Sequence, residues 1–233
     1  KMRSTILLIG AVGLFSSTVS AQVPNGGFED WTTVGTYQDP DHWITINAQT
    51  EPFGLLSCER GTPGAVGNAY AKVTTRQLIP GNTLSTVPGF LSLGDPATGT
   101  SGYPFADRPG ALNGSWQYDI QAGDQGNITI AFTRWDPVAQ NPVPVGTGNI
   151  QITGTHAGWQ TFSIPITYVD GSDPDSVFIV IQSSNAALMD GSTISVDDLT
   201  FGAAGAGIQE EEASVALQIY PSPATDELDL VAD

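Results

Sequence analysis

Along residues 128–133, apolar Ile128, Ile130 and Phe132 alternate with Thr129, Ala131 and Thr133. A period of two marks a strand with one face on a core, because successive side chains of an extended backbone point to opposite sides. Similar patterning predicts strands over 43–47, 69–74, 115–120, 127–133, 149–153, 159–165, 176–182 and 193–201. Residues 177–181, Val-Phe-Ile-Val-Ile, are apolar at every position, which predicts a strand in the middle of a sheet with both faces covered. No segment carries the period of an amphipathic helix. The Gly- and Pro-rich stretch 80–110 reads either as a functional loop or as irregular short strands. These strands, separated by turn signals and set among 27 glycines and 16 prolines, predict an all-β fold, a β-sandwich or jelly roll.

The two ends break this pattern. Lys1 and Arg3 precede an apolar run from Ile6 to Phe15, and Val19-Ser20-Ala21 offers small residues for cleavage, so 1–21 reads as a signal peptide. The run is too short to span a bilayer, which needs about 20 apolar residues. A secreted, soluble protein without a transmembrane segment is expected. At the other end, a Gly/Ala run at 202–207 and three successive glutamates at 210–212 predict a flexible acidic linker over 203–214, closing a domain of residues 22–202. Residues 215–233 open a further unit too short to fold alone, and read as its truncated start.

Charge narrows the partners. Without 1–21 the chain keeps five basic residues against 24 acidic ones, a net charge of −19. Arg60, Lys72, Arg76, Arg108 and Arg134 are scattered and form no basic stripe, so nucleic acid is not an expected partner. Neutral sugars and cations remain. The lone Cys58 allows no internal disulfide, so stability must come from a core or a bound metal.

Two resemblances extend this reading. Tyr220-Pro221-Ser222-Pro223-Ala224-Thr225 resembles the opening of the C-terminal sorting domain of type IX secretion, with Ser222 where Asn is usual. It implies export by the outer-membrane secretion machinery, to the medium or the cell surface. The runs Asn25-Gly-Gly-Phe-Glu-Asp-Trp31, Asp41-His-Trp43 and Val87-Pro-Gly-Phe-Leu-Ser-Leu-Gly94 resemble the family named the putative carbohydrate metabolism domain. So do Arg108-Pro-Gly-Ala-Leu-Asn-Gly-Ser-Trp-Gln-Tyr118, Gly158-Trp-Gln-Thr-Phe-Ser-Ile-Pro-Ile166 and Ser192-Thr-Ile-Ser-Val-Asp-Asp-Leu199. The likeness covers nearly all of 25–202 and implies a jelly-roll β-sandwich resembling carbohydrate-binding modules, leaving activity open.

A structural calcium is the first candidate cofactor. Ile194 and Val196 share one parity, Leu199 and Phe201 the other, so the apolar phase slips across Asp197-Asp198 and predicts a β-bulge bearing two carboxylates. A hard cation takes six to eight oxygens of this kind. In similar modules the Gly-Phe-Glu near the start and an Asp of the last strand hold calcium, which by that likeness makes Glu29 and Asp197 ligands, with Asp198 second choice. The competing reading is two solvated acids at a turn. The acidic run 170–175 lacks the EF-hand pattern and reads as a solvated turn.

Sugar recognition needs exposed rings beside hydrogen-bonding side chains. Trp135 lies in phase with the polar positions of its strand and is the first candidate, followed by Tyr103 in the long loop. Trp116 and Tyr118 share a strand face with Ile120, so they are candidates that core packing also claims. Trp31, Trp43 and Trp159 read as core or rim packing. Two histidines, no nucleophile elbow, no short-spaced zinc ligands and no phosphate loop leave little for hydrolase, zinc or nucleotide chemistry. The expected function is a secreted glycan-binding module. A structural or adhesive surface domain and a glycan-cleaving enzyme are the alternatives.

Overall fold

The computed structural model describes residues 22–202. The signal peptide, the acidic linker and the sorting-domain start expected at 1–21, 203–214 and 215–233 lie outside the described residues.

The strands follow in chain order: β1 (Trp31–Val34), β2 (Tyr37–Pro40), β3 (Trp43–Thr45), β4 (Cys58–Gly61), β5 (Tyr70–Thr74), β6 (Arg76–Leu78), β7 (Ser85–Val87), β8 (Phe90–Asp95) and β9 (Thr100–Ser101). After them come β10 (Tyr103–Pro104), β11 (Ala111–Asp119), β12 (Gly126–Asp136), β13 (Asn141–Ile152), β14 (Thr155–Pro165), β15 (Thr167–Tyr168), β16 (Ser176–Gln182) and β17 (Thr193–Gly202). The described helices are one turn of α-helix at Asn47–Thr50 and two 3-10 turns. Antiparallel pairing builds two large sheets. One has the order β15-β13-β12-β16-β8-β3, with β9 and β10 added to β8 and β16, and the other has the order β14-β11-β17-β5-β4. The chain crosses between the two sheets repeatedly, giving a jelly-roll β-sandwich. The hairpins β1–β2 and β6–β7 stand outside both.

Alternation explains the core. Ile128, Ile130 and Phe132 of β12 are fully buried, as are Val177, Ile179 and Ile181 of β16. From the opposite sheet Leu112, Phe162, Ile164, Ile194, Val196 and Leu199 close over them. The sheet places β16 centrally, between β12 and β8. Its second face is only half-covered, however: Phe178 and Val180 keep intermediate exposure, where the apolar run predicts full burial. Gly102, between β9 and β10, lies close to the Phe178 ring, and a Cβ there would be 2.8 Å from it.

Three local results sharpen the sequence reading. The Gly/Pro-rich stretch 80–110 holds β7 to β10, one of them the interior strand β8. The first predicted strand stops at Thr45, because Asn47 turns inward and is completely buried. Its side-chain oxygen accepts from the N–H groups of Ser57 and Cys58 at 3.0 and 2.9 Å, satisfying backbone that no strand pairs there. Cys58 is a buried free thiol in the core, and burial pushes its pKa well up, which makes it inert.

Candidate functional site

The outer face of the five-stranded sheet is polar by parity. On β5, Ala71 and Val73 point inward, leaving Tyr70, Lys72 and Thr74 outward; on β14, Phe162 and Ile164 point inward, leaving Trp159, Thr161 and Ser163 outward. Register aligns these positions across the sheet. Lys72 lies opposite Ser195 and Ser195 opposite Gln117, while Asp197, Ser115 and Thr161 form the next row. Serines leave room between the larger side chains. The Tyr70 and Trp159 rings meet edge to face, centroids 5.0 Å apart at 86°. Gly61, directly opposite Tyr70 on β4, makes that possible on the other side, since a Cβ there would overlap the Tyr70 ring.

Next to these rings, the pairing of β11 with β14 shifts register between Trp116 and Tyr118, with the extra residues on β14 between His156 and Gln160. A bulge re-aims side chains, and here Tyr118, partly packed on the core, reaches the rim against His156 with centroids 6.0 Å apart. A groove of about 260 Å³ results, lined by Tyr70, Lys72, Gln117, Tyr118, Asp119 and His156. A second hollow of about 440 Å³ is lined by Asn113, Ser115, Thr161, Ser163, Asp198 and Thr200 of the same sheet. Rings flanked by amide, hydroxyl, ammonium and imidazole groups can stack on the apolar face of a pyranose while bonding its hydroxyls.

The bulge expected in the last strand is present. Asn113 pairs with Thr200 but Ser115 with Asp197, so β17 carries one extra residue, and Asp198 takes the positive φ of 52° that absorbs it. The bulge separates the two carboxylates. Asp198 is exposed and lines the hollow just described, whereas Asp197 is wholly buried and turns onto the loop 62–69. One Asp197 oxygen accepts from the Val66 N–H at 3.0 Å and the other from the Asp198 N–H at 2.8 Å. Glu29 grips the same loop from the start of the chain, one oxygen accepting from the N–H groups of Asn68 and Ala69 at 2.6 and 3.1 Å.

These two carboxylates differ electrostatically. The Ala69 and Asn68 N–H groups hold Glu29 below the usual carboxylate range. Burial pushes Asp197 up, with the neighbouring Asp198 adding to it and the N–H groups of Val66, Asp198 and Ala65 only partly offsetting it. A buried carboxylate with no basic side chain beside it is stabilised by a cation. Oxygens crowd Gly64 in this loop: a Cβ there would lie 2.6 Å from the Val66 carbonyl oxygen and 2.7 Å from both the Ala69 carbonyl oxygen and an Asp197 oxygen, too close for any residue but glycine. Carboxylate and backbone carbonyl oxygens are the kind of donor calcium takes. Among the described residues no three His, Cys, Asp or Glu side chains converge, so carbonyls would complete the shell.

The other residues singled out from sequence fall in separate places. Trp135 is 53% exposed near the end of β12, opposite Pro142 of β13, on the other sheet and away from the grooves. Its backbone N–H donates to the Asp175 carboxylate at 2.6 Å. Tyr103 is half-buried, 6.3 Å from His42 and edge-on to it. Trp116 is 8% exposed and stacked on Phe162, with ring centroids 4.6 Å apart. Core packing claims it, as its parity with Ile120 allows. Tyr118, on the same strand, does reach the groove.

Sequence reasoning missed Tyr70, Trp159, Lys72, Gln117 and His156. The signal was available. Trp159 is out of phase with Phe162 and Ile164, the same parity rule that drew attention to Trp135. What a single sequence does not state is that β5, β17, β11 and β14 are neighbours.

No protein-family model matches the chain, and no curated protein matches it. Solved structures do. A "putative glycoside hydrolase" from Bacteroides thetaiotaomicron aligns with TM-score 0.60 and 19% identity over 75% of this chain and 69% of that one. Another so described, from Bacteroides vulgatus, aligns with TM-score 0.58 and 19% identity over 76% and 96%. Carbohydrate-binding modules align more loosely, a family 4 module with TM-score 0.38 and 17% identity over 77% and 98%. At these identities the likeness is one of fold: the chain shares an all-β sandwich with the two Bacteroides structures.

Proposed function

We propose that the sandwich is a glycan-binding module and that its ligand lies on the outer face of the five-stranded sheet, across Trp159 and Tyr70. The observation that carries this reading is the groove where Tyr70 stands beside Lys72, Gln117, Tyr118 and His156, with the Trp159 ring packed edge to face on Tyr70. It is lined by a single carboxylate, Asp119, and glycoside cleavage ordinarily uses two flanking the scissile bond. Binding is therefore the chemistry its lining supports. A calcium ion in the cradle of Asp197, Glu29 and the 62–69 carbonyls belongs to the same proposal, as a brace that ties both ends of the domain to one loop. The basic start and apolar run of 1–21, with the sorting-domain likeness at 220–225, support export through the outer membrane to the medium or the cell surface.

The test is a glycan array followed by titration calorimetry, with calcium and with chelator, on the wild type and on Trp159→Ala and Trp135→Ala. Removing a ring at the centre of a binding face costs about 2 kcal/mol, roughly 30-fold in affinity. Trp159→Ala should show that loss and Trp135→Ala should not. Binding lost only in Trp135→Ala would move the ligand to the other sheet. Absence of binding to every glycan would favour a structural or adhesive surface domain.

A further inference from the structure

A larger cleft lies elsewhere, between the β1–β2 hairpin, β3 and the turn that follows β8. It measures about 630 Å³, within the range of small-molecule sites, and its polar lining includes Tyr37, Asp39, Asp41, His42 and Asp95. Ile44 and Pro40 contribute to an apolar wall. Neither groove of the five-stranded sheet shares a residue with it.

The carboxylates are partly engaged from behind. Asp39 accepts from the Thr45 hydroxyl at 2.7 Å and the Asn47 amide at 2.8 Å, both on one oxygen. Asp41 accepts from the Thr32 hydroxyl at 2.7 Å, again on one oxygen. The second oxygen of each has no donor among the described residues. Asp95 accepts from the Ala97 N–H and the Thr98 hydroxyl at 2.9 and 3.0 Å, which fixes it at the rim. No lysine or arginine lines the cleft, and the ion pair recorded among the described residues, Arg76 with Glu59, lies elsewhere. His42, at φ +68°, lines the cleft and is set edge-on to Tyr103.

Such a wall accepts hydrogen bonds and carries negative charge without a counter-ion. A uronate or sulfate would be repelled, and a neutral sugar would leave the charge uncompensated. An ammonium group donates three hydrogen bonds, accepts none and supplies the missing charge. We propose that this cleft is a second binding site, for a saccharide bearing a free amino group, its ring against Tyr37 and Ile44 and its ammonium between Asp39 and Asp41. The site stands independently of the outer-face reading.

The experiment is calorimetry of the full chain with a glucosamine tetramer, its N-acetylated counterpart, cellotetraose and spermidine, at a pH where the amine is protonated. The free-amine tetramer should bind at least about tenfold tighter than the acetylated one, an advantage that shrinks in high salt. Asp39→Asn with Asp41→Asn should abolish the advantage, since Asn keeps the acceptor for Thr45 and Thr32 while removing the charge. Trp159→Ala should leave it intact, which separates this site from the outer face. Amide chemical shifts of the wild type should move in 32–48 and 95–97, so the site is tested even if the double variant folds poorly. Equal affinity for the two tetramers, spermidine binding as tightly as the sugar, an advantage surviving in a folded double variant, or shifts confined to other regions would each overturn the proposal.

Discussion

Two glycines show how single positions decide the surface of this protein. Gly61 leaves room for the Tyr70 ring, and a Cβ there would overlap it. Gly61→Ala should displace Tyr70 from Trp159 and weaken glycan binding without touching the ligand; roughly tenfold, or about 1.4 kcal/mol, is the expected scale. Calorimetry checks it, and an unchanged affinity would show that Tyr70 is not part of the platform. Gly64 lets Asp197 and the loop carbonyls pack close against its backbone. Gly64→Ala places a methyl group where the Val66 and Ala69 carbonyl oxygens converge with Asp197, at 2.6 to 2.7 Å. A loss of about 2 kcal/mol is expected, a fall in Tm of roughly 4–8 °C, together with any stabilisation by calcium. Trp116 teaches the converse lesson: its parity with Ile120 states a core position, and the buried, stacked ring agrees.

At the scale of elements, two acids each hold a loop, with opposite consequences for pH. Asp124 is nearly buried and accepts from the Ser192 hydroxyl at 2.7 Å, the Met189 N–H at 3.0 Å and the Ser184 hydroxyl, so it anchors the connection between β16 and β17. Burial raises its pKa, but those donors outweigh burial and the net direction is down. A depressed folded pKa gives stability that is present above the unfolded value and lost as pH falls through the folded one. Asp124→Ala should therefore cost about 2–3 kcal/mol near neutrality, measured by urea unfolding, because several buried donors lose a charged acceptor. Asp197 is shifted the other way. Its raised pKa means that the folded state binds the proton more readily than the unfolded state, so stability rises as pH falls through the folded pKa toward the unfolded one. In chelator the wild type should gain stability on mild acidification relative to Asp197→Asn. With calcium present at about 100 times its dissociation constant the wild type should gain roughly 2.7 kcal/mol, and acidification should remove that gain by protonating the ligand. A Tm insensitive to both calcium and chelator would reject the brace.

Over the whole molecule the sandwich depends on one shared core. Ile130, fully buried on β12, faces that core, and Ile130→Ala should cost about 2–5 kcal/mol as measured by denaturant titration. Alternation at 128–133, the apolar run at 177–181 and the phase slip at Asp197-Asp198 are local properties of the chain, because side-chain direction along a strand follows from backbone geometry alone. For that reason the all-β class, the principal strands and the bulge were legible from sequence. Tertiary structure decided which strands became neighbours. Tyr70 and Trp159 are far apart in sequence and meet only because β5, β17, β11 and β14 lie in one sheet. Asp39 and Asp95 share a cleft only because β3 pairs with β8 and the hairpin folds over them. Parity states that a ring points away from the core, but pairing order decides what stands beside it, and that order is set by packing between residues distant in the chain.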